Sequence, residues 1–535
     1  MFSMLSSASH LHVKQSSRRT CPLVVASIAL ALVWPACGPD GEGGGGEPGK
    51  RLLVITTEPL YEAAAEYAAY RESRGFSVTL VTTQDVLEEG GEGTLGEQIK
   101  ARVARWAKAG PKGDHRYLLI IADASVASPE DPLFVPVHAG EESFVGDFAY
   151  GGLDEDVVPD IAIGRLPFRE PAAVEAYLER VRAFEEQRPI GPFNRRLSVF
   201  AGEGGFGPEI DAALEWVALR IFESLSYDFD MSMTYAASSS SYYLPPEDWD
   251  ADYVTRYNAG STLQPYIGHT LGGVDTGHMR SPVRPTVVAY LSCSDGEYHL
   301  GGLALTEELL LMPEGPLGGL AASDWSHPYG NAIMALELSM ALFNDREPTY
   351  GRALQVAKQR MVYPEGELRT ELEVFAEPFL DEPADHLART HVILYNLMGD
   401  PTIGPGFPEG RVTFDGPQSA SMGQQITVSG RVTADGFGTP MSSGQILVTL
   451  ECERGAILGE LVPVQGTPSR AEALQNHEIS NYKVLLEATV PVTGGAFSAS
   501  LELPTSMKQV GYYLKGYAWA GDHDAMGSRR LPVYR

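Results

Sequence analysis

The chain is poor in cysteine and in positive charge. Its 535 residues hold four cysteines, and 40 Lys and Arg stand against 70 Asp and Glu, a formal net charge of −30. Cys21 and Cys37 lie in the N-terminal stretch, so only Cys293 and Cys452 remain for the folded part. That excludes a disulfide framework. The shortage of Lys and Arg argues against nucleic acid, whose phosphates are bound by clustered cations. After residue 33 no run is long and apolar enough to span a bilayer. Cys-x2-Cys and His-Glu-x-x-His spacings are missing, so His269, His278 and His299 make no catalytic zinc set. Gly43 to Gly46 follows no strand and lacks the Lys-Ser/Thr of a phosphate loop.

What is present starts with an export signal, expected over residues 1–37. Lys14, Arg18 and Arg19 precede an apolar stretch, Leu23 to Val33, of signal-core length. Ala36-Cys37 then reads as a lipoprotein cleavage site with lipid on Cys37. Trp34 and Pro35 are unusual there, which leaves plain signal-peptidase cleavage as the alternative. The expectation is an exported protein, held at the cell envelope or outer surface by that lipid and otherwise secreted. Membrane contact is expected only through the lipid. Residues 38–50, rich in Gly and Glu, read as a flexible tether.

Length calls for two to four domains. From Arg51, short apolar runs at 52–56, 78–81, 117–121 and 161–164 alternate with helical patterns at 59–74, 98–108 and 171–186. A Pro- and Gly-bearing boundary at 188–194 follows. The alternation restarts with strands at 197–201, before His269, before Cys293 and at 317–322. Its helices read at 209–224, 250–259, 331–343, 349–361 and 387–397. Repeated βαβ units imply parallel sheets covered by helices. They fall here into two adjacent α/β units, 51–190 and 191–407, rather than one long sheet. From 408 to 535, apolar/polar alternation between turn residues reads as an all-β sandwich without a helix.

The chemistry centres on two short runs. Pro265-Tyr-Ile-Gly-His269 ends in an imidazole, and Thr286-Val-Val-Ala-Tyr-Leu-Ser-Cys293 ends in a thiol. As parallel strands of one sheet they would bring His269 and Cys293 to one carboxyl edge, where open α/β sheets place their sites. A thiol beside an imidazole is the minimum for nucleophilic acyl transfer. His278 competes for the role. Residues 270 to 285 give His269 a connection of 16 residues to the Cys strand, and residues 279 to 285 give His278 only 7. Parallel neighbours need about 10–12. His269 is the expected partner.

Five separated blocks add a resemblance. They are Asp147 with Tyr150; Pro159-Asp160 with Gly164-Arg165; Tyr266 to His269; Ser292-Cys293-Ser294-Asp295-Gly296; and Asn396-Leu-Met-Gly-Asp-Pro401. In this order they resemble the gingipain-like cysteine peptidases, family C25, whose α/β fold is similar to that of caspases. The resemblance implies an endopeptidase acting on protein or peptide substrates, with 408–535 as an immunoglobulin-like domain. It implies no required cofactor. Relatives bind structural calcium, but without an EF-hand-like loop no metal ligands are assigned here. The family's oxyanion donors would be the N–H groups of Cys293 and Thr270, although the family usually has Gly at the latter position. Glu203 matches an acidic residue near the family's active site and reads equally as a solvated loop carboxylate. Glu209 and Asp211 fall near a substrate-binding carboxylate of Arg-specific members, and also read as acids of a helix's first turn. Trp325 looks like the family's substrate-pocket tryptophan, with core packing as the other reading. A helix opening after Ser294 would further favour the thiolate. The alternative function is a non-catalytic surface lipoprotein, an adhesin or scaffold that keeps the fold; Thr270 is its main support.

Overall fold

Leu52-Leu-Val-Ile55 is apolar without alternation and wholly buried, as a strand covered on both faces must be. Leu52 and Val54 pack with Tyr67 and Val174 on one side, and Leu53 and Ile55 with Ile99 and Val103 on the other. The computed structural model describes residues 49–535, apart from 125–129, 141–143, 155, 203–207, 272–275 and 282–283, and without the side chains of 208–214.

The first unit runs β1 (Lys50–Thr56), α1 (Tyr61–Ser73), β2 (Ser77–Thr82), α2 (Thr83–Glu89), α3 (Leu95–Ala109) and β3 (His115–Ile121). A small ribbon, β4 (His138–Ala139) and β5 (Val145–Gly146), precedes α4 (Phe148–Gly151), β6 (Ala162–Leu166) and α5 (Pro171–Gln187). The second unit holds β7 (Arg196–Ala201), α6 (Pro208–Ser224), β8 (Asp230–Tyr235), α7 (Pro246–Ala259), β9 (Leu263–Ile267) and β10 (Val287–Leu291). It continues with α8 (Leu305–Leu311), β11 (Gly318–Ala322), α9 (Pro328–Phe343), α10 (Tyr350–Val362), α11 (Glu367–Ala376), α12 (Ala384–Leu394) and β12 (Tyr395–Gly399).

The mixed α/β fold is present, but the expectation of two units rather than one long sheet is overturned for residues 51–190 and 191–407. Their strands join edge to edge into a ten-stranded sheet, β2-β1-β3-β6-β12-β11-β10-β9-β7-β8. The seam is thin: β6 and β12 share the single register pair Arg165–Met398. β12 runs parallel to β6 but antiparallel to β11, so the two halves point in opposite directions. The helix expected to run to residue 397 in fact stops at Leu394. No turn residue separates it from β12, so the apolar run hid the change from helix to strand.

Two buried ion pairs fix the first unit, and both use the block residues. Arg165 donates to both oxygens of Asp147, at 2.8 and 2.6 Å, and to the carbonyls of Ala122 and Val135. Asp400 receives Tyr67 Oη and Arg71 Nε, each at 2.6 Å, while its other oxygen caps Thr402.

The C-terminal domain contains β13 (Gly410–Asp415), β14 (Ala420–Ser421), β15 (Gln425–Val432), β16 (Ser443–Cys452), α13 (Arg470–Asn481), β17 (Val484–Thr493), β18 (Ala496–Glu502), β19 (Tyr512–Ala520), β20 (His523–Arg530) and β21 (Val533–Tyr534). Its main sheet closes on itself as β13-β15-β18-β17-β16-β19-β20 around Val428, Ile446, Val448 and Leu514. The helix α13 was not expected in an all-β domain. It opens with a capping box, Ser469 and Glu472.

That helix shields an exposed sheet edge. Asn481 on α13 receives the Met233 N–H at 2.8 Å and donates to the Met233 carbonyl at 2.9 Å, satisfying the backbone of the edge strand β8. Nearby, the buried Lys515 bridges Asp230 and Glu451, and Tyr227 stacks on Tyr513 with centroids 3.5 Å apart. Arg454, between β16 and α13, donates to four carbonyls at the end of α6: Phe222, Leu225, Ser226 and Phe229.

Candidate active site

β7, β8, β9, β10 and β11 are mutually parallel, so their carboxyl ends share one edge. In the β9–β10 ladder Ile267 stands opposite Leu291. His269 lies two residues past the first and Cys293 two past the second. Equal offsets from a matched pair set them at one level of that edge. Both line a cleft of about 300 Å³, together with residues that follow β7 (Gly202), β8 (Ala237) and β11 (Trp325 and Ser326). His278 sits in a short exposed turn, where its carbonyl receives the Asn258 side chain.

Local geometry explains the Gly-His sequence. A Cβ on Gly268 would fall 2.6 Å from Tyr266 Oη and 3.3 Å from the Gly202 Cα, so any larger residue would have to push the Tyr266 ring and the Gly202 loop aside. The loops are also tied by hydrogen bonds. Thr270 Oγ1 donates to the Cys293 carbonyl at 2.9 Å. Leu271 N–H donates at 3.1 Å to Asp295, which also receives Ser292 Oγ. Burial raises the Asp295 carboxyl above the usual range, against the pull of those two donors. Thr270 therefore uses its hydroxyl to hold the His loop on the Cys loop.

The chain after Cys293 differs from the expectation. Ser294 takes a left-handed φ of 62°, and the next helix, α8, starts only at Leu305. No helix N-terminus opens after Ser294, because the chain turns there instead. The donors near the sulfur come from another strand end. Ser326 N–H and Oγ lie 3.3 and 3.6 Å from Cys293 Sγ, and the thiol faces the Ser326 carbonyl at 3.4 Å.

Trp325 is 77 % exposed and lines the cleft, which rules out core packing. Glu203 lies outside the described residues. Glu209 and Asp211 fall in the first turn of α6, with side chains outside the described set. Among the described side chains, the acid that lines the cleft is Glu215, one turn further on, held by Ser240 Oγ at 2.7 Å. No motif marks it; four residues beyond Asp211 on one helix, it shares that residue's face. The walls around it are apolar, with Val199, Val217, Ala218, Ile221 and Ala335. Tyr235 also lines the cleft, and its buried hydroxyl has no hydrogen-bond partner among the described residues.

Cys452 is buried in the barrel, and burial pushes its thiol up to about 11. Among the described residues no group of three or more His, Cys, Asp or Glu side chains is placed to hold a metal ion, so no calcium ligands are assigned. Among them also no helix is long and apolar enough to cross a membrane.

The model of peptidase family C25 matches residues 46–405. The crystal structure of the Arg-specific cysteine proteinase gingipain R (RgpB) is similar at 13% identity, over 91% of this chain and 98% of that one, with a TM-score of 0.51. A second solved protease structure aligns at 13% identity over 90% of this chain and 97% of its own, with a TM-score of 0.50. At such identities the likeness is one of fold. No curated protein matches the chain. The family match spans the whole double α/β unit, from the start of β1 to just beyond β12. The chain belongs to peptidase family C25 and is a cysteine-type peptidase.

Proposed function

We propose that the chain is an exported endopeptidase in which Cys293 is the nucleophile and His269 the general acid–base. The matched register of β9 and β10, which sets both residues on one edge and one cleft, carries this reading. His269 takes the Cys293 proton, and the sulfur bonds to the carbonyl carbon of the scissile peptide. The N–H groups of Cys293 and Thr270 receive the oxyanion; losing one such donor typically costs about 10²–10³ in rate. The C–N bond then breaks as His269 protonates the leaving amine. Water, deprotonated by His269, hydrolyses the thioester and returns the thiol. No cofactor is used. Glu203, two residues beyond β7 in the sequence, is the proposed group that orients the imidazole.

The cleft suits a long P1 side chain. Apolar walls would take its stem, Trp325 would cover it, and Glu215 and Tyr235 would meet a cationic or donor head. Lipid on Cys37 and the tether would hold the enzyme at the cell envelope. The test is cleavage of a peptide library by the full chain and by Cys293→Ala, with and without calcium, beside labelling by a thiol-reactive peptide probe. Cleavage and labelling that vanish together in Cys293→Ala are expected. Equal labelling of both proteins would sink the reading. No cleavage of any peptide and no labelling would favour the scaffold alternative.

A further inference from the structure

Three side chains behind Cys293 form a chain of hydrogen bonds whose direction is fixed by its ends. Asn331, on the first turn of α9, donates through Nδ2 to the Leu291 carbonyl at 3.2 Å and to Ser326 Oγ at 3.0 Å. A carbonyl can only accept, so the amide orientation is settled: its nitrogen faces Leu291 and Ser326. Its oxygen then faces Tyr395, whose hydroxyl donates to it at 2.7 Å. Ser326 Oγ accepts from Asn331, which leaves its single hydrogen to give. Cys293 Sγ stands 3.6 Å away. The Tyr395 oxygen is the other acceptor within reach of that hydrogen, and a thiolate carries far more charge than a phenol.

Both supporting residues are buried, Asn331 at 4% and Tyr395 at 0% exposure, so water does not scramble the chain. The topology makes it possible. Tyr395 is the first residue of β12 and pairs with Ala322, the last of β11. Because β12 runs antiparallel to β11, its beginning lies at the edge where β7 to β11 end.

We propose that Ser326 is a catalytic residue of the peptidase: its N–H and Oγ–H hold the Cys293 thiolate, with Asn331 and Tyr395 as the positioning residues that aim the hydroxyl. In the resting enzyme the thiol proton faces the Ser326 carbonyl. When that proton passes to the imidazole, the sulfur keeps two donors from one residue. Sulfur accepts at longer range than oxygen, so neither bond is short, but hydrogen bonds to a charged group are about twice as strong as neutral ones. The donors act on the nucleophile itself, before any substrate arrives. This rests on Cys293 being the nucleophile.

The test reads the thiol directly. The full chain is alkylated with iodoacetamide between pH 5 and 9, and modification of the Cys293 peptide is followed by mass spectrometry. Ser326→Ala is expected to react about tenfold more slowly at pH 7 than wild type, with the midpoint of its pH profile moved upward. Ser326→Thr keeps the hydroxyl and should restore the wild-type profile. Tyr395→Phe should shift the midpoint the same way by a smaller amount. In peptide cleavage, Ser326→Ala should lower kcat with KM changed less than about twofold. A wild-type alkylation profile in Ser326→Ala overturns the proposal, and so does a Thr variant that behaves like Ala. Because alkylation needs no substrate, this failure is separate from that of the nucleophile assignment, which would show as an active Cys293→Ala.

Discussion

Replacing Arg454 by Met should loosen one wall of the substrate cleft from outside the catalytic unit. Its guanidinium makes bonds of 2.7, 2.6, 2.6 and 3.2 Å to the carbonyls of Phe222, Leu225, Ser226 and Phe229. It also lies 4.3 Å over the Tyr227 ring, a contact that Met keeps in part. Each buried carbonyl left without a donor costs about 1–3 kcal/mol. The Phe222, Ser226 and Phe229 carbonyls keep longer bonds, at 3.4, 3.3 and 3.3 Å, from the Leu225 N–H, the Phe229 N–H and the Lys515 ammonium, so among the described residues only the Leu225 carbonyl loses its last donor. The net loss should be about 2–3 kcal/mol. The same helix end carries Ile221, and the turns before it Val217 and Ala218, all on the cleft wall. KM should therefore rise several-fold while alkylation of Cys293 stays at the wild-type rate. Arg454→Lys, with three donors on one nitrogen, should fall between. The assays are urea denaturation, limited proteolysis within 208–229 and the KM–kcat split. An Arg454→Met protein within about 0.5 kcal/mol of wild type, with unchanged KM, would show that the clamp does not hold the wall.

Two further outcomes follow from the site. Thr270→Val removes the hydroxyl bond to the Cys293 carbonyl and should lower kcat about three- to tenfold, the worth of one ordinary hydrogen bond; Thr270→Ser should recover most of it, and equal kcat in Val and wild type would dismiss the tie. His391 governs stability in acid. Its Nε2 receives the His327 N–H at 2.8 Å and its Nδ1–H bonds to the Leu387 carbonyl, and burial holds its pKa down to about 4. The unfolded chain binds a proton there below about pH 6.5 and the folded one does not until about pH 4, so stability falls across that window as pH drops. At pH 5 the loss should be about 2 kcal/mol. His391→Gln should reduce the pH 7-to-5 difference in urea stability by about that much; an unchanged difference would refute the assignment.

How far the sequence revealed this site depends on what each residue reports locally. His269 and Cys293 were legible because each ends an apolar run, and the length of the connection chose between two histidines. Arg165, Asp147 and Asp400 stood in recognisable blocks, and the structure gives them buried ion pairs rather than chemistry. Ser326, Asn331 and Tyr395 were not legible. They lie far from Cys293 in sequence, and only the reversed direction of β12 brings Tyr395 to the site. The pattern there continues the preceding helix, since Val392 to Met398 is largely apolar by either period. Arg454 belongs to a domain whose contact with α6 no local pattern encodes. The helix α13 is different: its Ser469-x-x-Glu472 box is a local helix signal set within β-rich surroundings.

The place of β12 has a consequence for how the molecule is made. It is the last strand of the catalytic unit to leave the ribosome, yet it sits in the middle of the sheet. About 230 residues of chain follow β6 before β12 appears. At ~5–20 residues per second that is roughly 10–50 s during which β6 is an open edge, joined for the last ~4–15 s by β11, about 70 residues ahead of β12. A keystone that arrives last keeps the halves apart until the chain is nearly complete. For a polypeptide that must thread through a membrane unfolded, late closure is an advantage; for one made without export, those open edges are where aggregation would begin.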